Sequence, residues 1–99
     1  MTITQLKYTL AVAEHGNFTT ASDKCFVTQP TLSMQVQKLE EELGVVIFNR
    51  STKPLQVTEV GQKVLFQAKK IVEESSRMND VLSEEKGIIG GTLKVGIIP

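Results

Sequence analysis

Residues 18–43 read FTTASDKCFVTQPTLSMQVQKLEEEL, and they decide the fold. A short amphipathic segment leads into an apolar turn at residues 26–27, and a second segment opens with Thr28, Gln29 and Pro30. Thr28 is suited to cap a helix, and Pro30 fits the first helical turn because the N–H that it lacks would be unpaired there in any case. The stretch therefore predicts two helices joined by a tight turn, which is a helix–turn–helix.

The second of these helices, predicted over residues 29–43, has two unlike faces. Its apolar residues step by four, three and four and form a stripe that we expect to be buried: Leu32, Val36, Leu39 and Leu43. The opposite face and the exposed N-terminal end carry the residues that we expect to contact DNA, namely Gln29, Pro30, Thr31, Ser33, Met34, Gln37 and Lys38. The glutamates at 40–42 lie toward the other end, where they repel phosphate least. This pattern is typical of a recognition helix that enters the major groove.

Each of these side-chain types suits a particular contact with a duplex. The free N–H groups and the positive end of the dipole at the helix N-terminus attract a phosphate, and Thr31 and Ser33 can donate further bonds to it. The amide of Gln29 matches the edge of adenine, while the apolar Pro30 and Met34 match the methyl group of thymine. A polar helix face can equally be one that only contacts solvent, as exposed polar residues usually do. The DNA-binding hypothesis therefore depends on the helix–turn–helix, the polar outer face and the wing occurring together.

The residues before this stretch predict the rest of a small helical core. Thr2 and Gln5 form a capping box at the start of a first helix, and Gly16 ends that helix. Asn17 is placed to cap the second helix, whose inward residues are expected to be Phe18, Ala21 and Cys25.

The pattern changes at residues 45–57 and predicts a hairpin. Two short β-prone runs, VVIF and LQV, flank a segment containing Pro54, which is expected at a sheet edge or in the turn. Arg50 and Lys53 lie in that segment and suit contacts with the DNA backbone or a narrow minor groove. A hairpin after a three-helix core is a wing, so residues 1–58 are predicted to form a winged helix–turn–helix domain in a mainly α protein.

A long helix is predicted from Thr58 to about Lys86, interrupted only by Gly61, and it forms a linker over residues 59–87. Its seam steps by four and three alternately, as in a coiled coil, and consists of Val64, Ala68, Ile71, Ser75, Met78 and Leu82. Such a helix, roughly 40 Å long at 1.5 Å per residue, is too long for so small a domain to cover. We therefore expect a homodimer formed through this helix. Residues 88–99 are predicted to be a hinge followed by the first strand of a further α/β domain, so the chain is expected to be the front piece of a longer protein.

Composition limits the classes of function. The 99 residues suit one small domain, and eleven Lys and Arg against eleven Asp and Glu leave the chain formally neutral, so bulk charge does not argue for nucleic acid. One cysteine excludes an internal disulfide, and neither a leader nor a long apolar run is present, so we expect a cytoplasmic protein that does not enter a membrane. The sequence shows no Ser/His/Asp, Cys/His, phosphate-loop or metal-ligand pattern. We therefore expect that the protein is not an enzyme and binds neither a cofactor nor a metal ion.

Two features have alternative interpretations. The neutral charge also fits a helical protein-interaction module, in which the long helix binds a partner and the helix–turn–helix is only a scaffold. Cys25 has no cationic neighbour in sequence beyond Lys24, so a small buried apolar role is favoured over that of a redox sensor.

Short runs in every predicted element match one family. They are LKY at 6–8, AVAE at 11–14, GNFT at 16–19, Ala21, TQPTLS at 28–33, Gln35, KLEEELG at 38–44, FNR at 48–50 and VTEVG at 57–61. Together they resemble the N-terminal part of the LysR-type transcriptional regulators, over essentially the whole chain. The resemblance implies a winged helix–turn–helix, a dimerising linker helix and a separate effector-binding domain of two α/β lobes, whose first strand matches residues 91–99.

The resemblance also implies partners and contact residues. The family binds interrupted palindromes in double-stranded DNA and often forms homotetramers, and RNA polymerase is an expected partner. The DNA contacts implied at matching positions are Gln29, Pro30, Thr31, Ser33 and Arg50. Met34 stands where arginine is common, which puts one base or phosphate contact in question. Lys53 replaces a frequent wing arginine, which weakens a bidentate or minor-groove role.

Within the family, residues 29–44 and 96–99 are most similar to the hydrogen-peroxide-sensing OxyR branch. This similarity implies a redox-responsive regulator, and the redox cysteines of that branch lie in the effector domain. The alternative is a regulator of the same type that responds to a small-molecule effector.

Overall fold

The computed structural model describes residues 1–89, and the side chains of residues 1–86. Within that range the elements are α1 (Ile3–His15), α2 (Phe18–Lys24), α3 (Gln29–Leu43), β1 (Phe48–Asn49), β2 (Gln56–Val57) and α4 (Glu59–Ile89). The order confirms the prediction of a mainly α, winged helix–turn–helix chain that continues into a long helix.

The helices of the core begin where the sequence predicts. The Thr2 hydroxyl accepts the Gln5 N–H at 3.0 Å while the Gln5 side chain accepts the Thr2 N–H at 3.2 Å, which completes the capping box of α1. Asn17 caps α2, and the hydroxyl of Thr28 caps α3 by accepting the N–H of Thr31 at 3.3 Å. Each cap stabilises its helix by about 1 kcal/mol because it satisfies an N–H that has no partner within the helix.

Glycines end α1 and α3. Gly16 and Gly44 have φ angles of +74° and +71°, in the left-handed region where a side chain would be strained. The Gly16 N–H donates to Val12 O at 2.9 Å and the Gly44 N–H to Glu40 O at 2.8 Å, so both chain reversals satisfy a terminal carbonyl.

One hydrophobic core joins the three short helices, the wing and the start of α4. Its buried members are Leu6, Val12, Ala21, Leu32, Val36, Leu39, Ile47, Phe48 and Ala68. The stripe predicted on α3 is buried at its first three positions. The prediction for Leu43 is wrong, because this residue is exposed in the last turn of α3, where the chain has already reached the edge of the core.

The wing is shorter than the predicted runs at 45–48 and 55–57. Its antiparallel pairing is confirmed, with Phe48 opposite Val57 and Asn49 opposite Gln56, but each strand has only two residues. Residues 45–47 form no strand because their N–H groups do not donate to a neighbouring strand: the Val45 N–H donates to Glu40 O at 3.1 Å and the Ile47 N–H to the Glu40 carboxylate at 2.7 Å.

The start of α4 packs against α1 and the wing, and the rest extends beyond the core. The helix continues through Gly87 to Ile89, so the hinge predicted to start at residue 88 does not begin there. A single glycine costs a helix only about 1 kcal/mol relative to alanine, which is too little to end it. The remainder of the predicted hinge and the predicted strand lie outside the described residues. Among those residues, the helices are too short or too polar to pass through a lipid bilayer.

Candidate nucleic-acid interface

The outer face of α3 is the centre of the candidate interface. Leu32, Val36 and Leu39 are fully buried, which fixes the rotation of the helix and turns the opposite face to solvent. The predicted contact residues on that face and at the N-terminal end of α3 are exposed, apart from the half-buried Ser33: Gln29, Pro30, Thr31, Met34, Gln37 and Lys38. The structure therefore leaves the outer face and the open N-terminal end of α3 accessible together.

The N-terminal turn of α3 is arranged to receive an anion. It contains no acidic residue, and Pro30 lies in its first turn. The Thr28 hydroxyl donates to Thr31 Oγ1 at 2.8 Å, which leaves the hydroxyl proton of Thr31 free for an outside acceptor. Unpaired helix N–H groups and a free hydroxyl are the donors that bind a phosphate oxygen at a helix start.

Gln35 has a different role from the other glutamines of α3. Its Oε1 accepts a hydrogen bond of 3.0 Å from Nε2 of Gln5, a buried residue of α1. This bond ties α3 to α1 across the core. Gln29 and Gln37 are thus the exposed amides of α3 that remain available for a base edge.

Glu40 links α3 to the wing, a contact that no local pattern in the sequence predicted. One carboxylate oxygen accepts the N–H groups of Ile47 and Phe48 at 2.7 and 3.2 Å, and the other accepts Nη2 of Arg50 at 3.0 Å. Only 7% of Glu40 is exposed. The acidic run 40–42 is therefore not a uniform solvated end of the helix. Its first member turns inward and satisfies backbone groups that would otherwise be buried without a partner.

The position of Arg50 differs from that of a free DNA-contacting side chain. Its guanidinium pairs with Glu40 and stacks 5.1 Å from the centre of the Phe18 ring. Phe18 in turn meets the buried Phe48 edge-on, with ring centres 6.1 Å apart. The Arg50 side chain is 42% exposed, so part of the guanidinium still faces solvent. It holds α2, α3 and the wing together while keeping some donors outside.

Further bonds fix the base of the wing. The N–H of Thr58 donates to Ile47 O at 2.8 Å, and the N–H of Leu55 donates to Gly16 O at 3.4 Å. Lys53 lies exposed in the loop that these bonds anchor. Of the two cations predicted in the wing, Arg50 is paired with Glu40, whereas the exposed Lys53 makes no ion pair with the side chains that the structure describes.

The turn between α2 and α3 exposes an aromatic ring that the sequence placed only in an apolar turn. Phe26 has a φ of +59° and is 94% exposed, whereas Val27 packs against the core. Cys25, just before it, is half-buried against the core, and burial raises the pKa of its thiol. A raised pKa disfavours the reactive thiolate, in agreement with the apolar role predicted for this residue.

The predicted seam of α4 divides into two parts. Ala68 is buried and Val64 half-buried against the chain's own core, so these two residues offer a partner less surface than the exposed members of the seam. Ile71, Met78 and Leu82 are exposed, while Ser75 is half-buried. Among residues 1–89, no cluster of His, Cys, Asp and Glu side chains is suited to a metal ion.

Comparison with known proteins identifies the family to which this chain belongs. Residues 3–62 match the bacterial regulatory helix-turn-helix proteins of the lysR family. The chain belongs to the LysR family. It therefore carries the helix–turn–helix of a LysR-type DNA-binding transcriptional regulator, as the sequence predicted.

Individual relatives agree with this assignment. Over all 99 residues the LysR-family chain is 38% identical to the DNA-binding transcriptional dual regulator OxyR of Escherichia coli K12, of which it covers 32%. It is 34% identical over 97 residues to the RuBisCO operon transcriptional regulator of Allochromatium vinosum, covering 98% of this chain and 32% of that protein. The crystal structure of the BenM_DBD/catB site 1 DNA complex matches with a TM-score of 0.84 and 32% identity, over 94% of this chain and 100% of that chain. The chain thus spans about a third of the length of these two curated relatives.

Proposed function

We propose that the chain binds a specific duplex sequence with α3 in the major groove and the wing against the backbone or the minor groove. The observation that carries the proposal is the orientation of α3, whose buried stripe forces its polar outer face and open N-terminus toward solvent. The match to a domain solved in complex with DNA supports the same placement. Such a regulator acts in the cytoplasm, where bacterial operators are found.

The contacts divide into those that read bases and those that hold phosphates. We assign base contacts to Gln29 and Gln37, whose amides are exposed, and phosphate contacts to Thr31, Lys38 and Lys53. Arg50 contributes chiefly by holding the wing in place through Glu40. The remaining helical alternative, a protein-interaction module with an idle helix–turn–helix, is less well supported because residues 3–62 match a regulatory DNA-binding family.

Replacing Gln29 and Gln37 together with alanine is expected to weaken binding to the cognate operator by roughly thirtyfold or more, since two base contacts are lost and each good one is worth roughly 1–3 kcal/mol. Binding to random duplex should change little. Gel-shift titration of both duplexes measures the two affinities, and Gln62→Ala, an exposed glutamine on α4, is the matched control. An unchanged operator affinity for the double variant would count against the proposed reading face.

Salt dependence separates the two wing cations in the same titration. Affinity should fall steeply with added salt, and Lys53→Ala should reduce the slope by about 0.9 because one phosphate contact is lost. Arg50→Ala should lower the affinity because the wing is held less firmly, and it should change the salt slope less than Lys53→Ala does. Equal changes of slope for the two variants would mean that Arg50 also neutralises a phosphate.

We further propose that the chain dimerises through α4 in antiparallel orientation. An apolar groove of about 300 Å³ lies beside the first half of α4, and its lining includes Met1, Leu6, Leu43, Val60, Val64 and Ile71. The second half of α4 exposes apolar side chains that would fill this groove in a partner: Met78, Val81 and Leu82. Charge favours the same pairing, because residues 59–72 carry Lys63, Lys69 and Lys70 against Glu59, while residues 73–86 carry Glu73, Glu74, Asp80, Glu84 and Glu85 against Arg77 and Lys86. An antiparallel pair sets the basic half of each helix against the acidic half of the other.

Met78→Asp is expected to convert the dimer to a monomer at micromolar concentration, since it places a charge in the apolar contact of each partner. Met78 is exposed in the single chain, so folding should be unaffected. Ser76→Asp adds the same charge on an exposed position away from the seam and should leave the dimer intact. Sedimentation equilibrium measures the mass, and dissociation by both variants or by neither would contradict the proposed seam.

The effector to which the full-length protein responds is the finer part of the proposal. We favour hydrogen peroxide over a small-molecule effector because a relative named hydrogen peroxide-inducible genes activator is 38% identical over all 99 residues, against 37% over 95 and 34% over 97 residues for two RuBisCO transcriptional regulators. Cys25 is unsuited to sense peroxide, since burial raises its thiol pKa. With the full-length protein, a peroxide pulse should induce an operator-linked reporter equally in wild type and in Cys25→Ser. Absence of induction in wild type would favour the small-molecule alternative.

A further inference from the structure

The outer face of α3 carries a large apolar side chain that the fold does not require. Met34 is 48% exposed and lies opposite Leu32 and Val36, both of which are fully buried. The residue one helical turn earlier on the same face is Pro30, also exposed. Folding gains little from a half-exposed methionine in water, and Met34 and Pro30 together form a small apolar strip on an otherwise polar face, which is suited to a contact outside the chain.

The chemistry of the major groove limits what that contact is. Base edges there present hydrogen-bond donors and acceptors, and the one apolar group among the unmodified bases is the C5-methyl of thymine. The thioether of methionine carries no donor and is a weak acceptor, so Met34 cannot replace an arginine that bonds to guanine. A flexible, polarizable side chain is well suited to pack on a methyl group.

We propose that Met34 is a specificity-determining residue that selects thymine, through its methyl group, at one position of each operator half-site. The proposal rests on the proposed function, since it assumes that α3 lies in the major groove. Pro30 extends the same apolar surface toward the helix start, whereas Gln29 and Gln37 flank it with amides. Along the outer face of α3, the apolar pair Pro30 and Met34 thus lies between two amides, Gln29 and Gln37, that can form hydrogen bonds to base edges.

Uracil substitution isolates the methyl group. An operator is first selected from a random duplex library with the 99-residue chain, and each thymine is then replaced singly by deoxyuridine, which removes the methyl and leaves the hydrogen-bonding edge unchanged. Wild type should lose about fourfold in affinity at one thymine per half-site, the effect of one buried methyl group. Met34→Leu should keep this loss, and Met34→Ser should bind the thymine and uracil duplexes equally.

Gln37→Ser is the matched control, because it removes a polar side chain from the same exposed face and should retain the full preference for thymine over uracil. Three results would overturn the proposal in different ways. Indifference of wild type to uracil at every position would show that no methyl is read. A preference that survives in Met34→Ser would assign the methyl to another residue. Failure of the library selection to enrich any sequence would overturn the proposed function itself, together with this inference.

Discussion

Glu40→Ala is expected to lower the free energy of unfolding by roughly 3 kcal/mol, because the N–H groups of Ile47 and Phe48 would lose their acceptor and each buried N–H without a partner costs about 1–3 kcal/mol. The loss of the pairing with Arg50 adds little, since the guanidinium is partly exposed and stays hydrated. For a domain of this size such a loss corresponds to a melting temperature lower by about 12–24 °C. Urea and thermal unfolding followed by circular dichroism measure it.

Two further variants separate the parts of this effect. Glu40→Gln keeps a carbonyl oxygen for the two N–H groups and loses the ionic contact, so we expect about 1 kcal/mol of destabilisation. Glu41→Ala removes an exposed glutamate from the same turn and should change stability by less than about 0.5 kcal/mol. If Glu40→Ala proved no more harmful than Glu41→Ala, the carboxylate would have no structural role at the wing.

Gly61→Ala is expected to destabilise the chain by about 2 kcal/mol, the opposite sign to the usual effect of this substitution in a helix. A Cβ at this position would lie 2.5 Å from the Ile47 carbonyl oxygen, 2.9 Å from Ile47 Cα and 2.9 Å from Thr58 Oγ1. Two of these atoms belong to the backbone of a buried residue and cannot move aside without displacing the wing. Calorimetric melting measures the change.

The matched control for Gly61→Ala is Gln62→Ala, an exposed neighbour in the same turn of α4, which should leave the melting temperature nearly unchanged. If Gly61→Ala raised the melting temperature, the close approach of α4 to Ile47 would not exist. The contact between Gly61 and Ile47 also fixes the direction of α4 relative to the domain. Gly61→Ala should therefore also change the dissociation constant of the dimer, which sedimentation equilibrium measures.

Local signals in the sequence were enough to predict where the core helices begin and end. Thr2, Asn17 and Thr28 act through hydrogen bonds to N–H groups within a few residues, and Gly16 and Gly44 act through their own backbone angles. The apolar spacing of Leu32, Val36 and Leu39 likewise depends only on helix geometry. These terms are short in range, so a single sequence contains them.

The contacts of the wing depended on packing between distant segments and could not be predicted. The roles of Glu40, Arg50 and Gly61 arise because α3, the wing and α4 meet at the backbone of Ile47. The division of the α4 seam, with Ala68 covered by α1 and Met78 left exposed, has the same origin. A glutamate run or a glycine in a helix has no local signature that distinguishes a solvated residue from one that satisfies buried groups.

By itself, the sequence determined that this chain contains a helix–turn–helix with a polar outer face on α3, because periodicity and capping operate within one or two helical turns. Only the tertiary structure decided which of the charged residues are free to meet DNA. Lys38 and Lys53 face solvent, whereas Glu40 and Arg50 are engaged with each other, since burial and pairing are properties of the assembled fold.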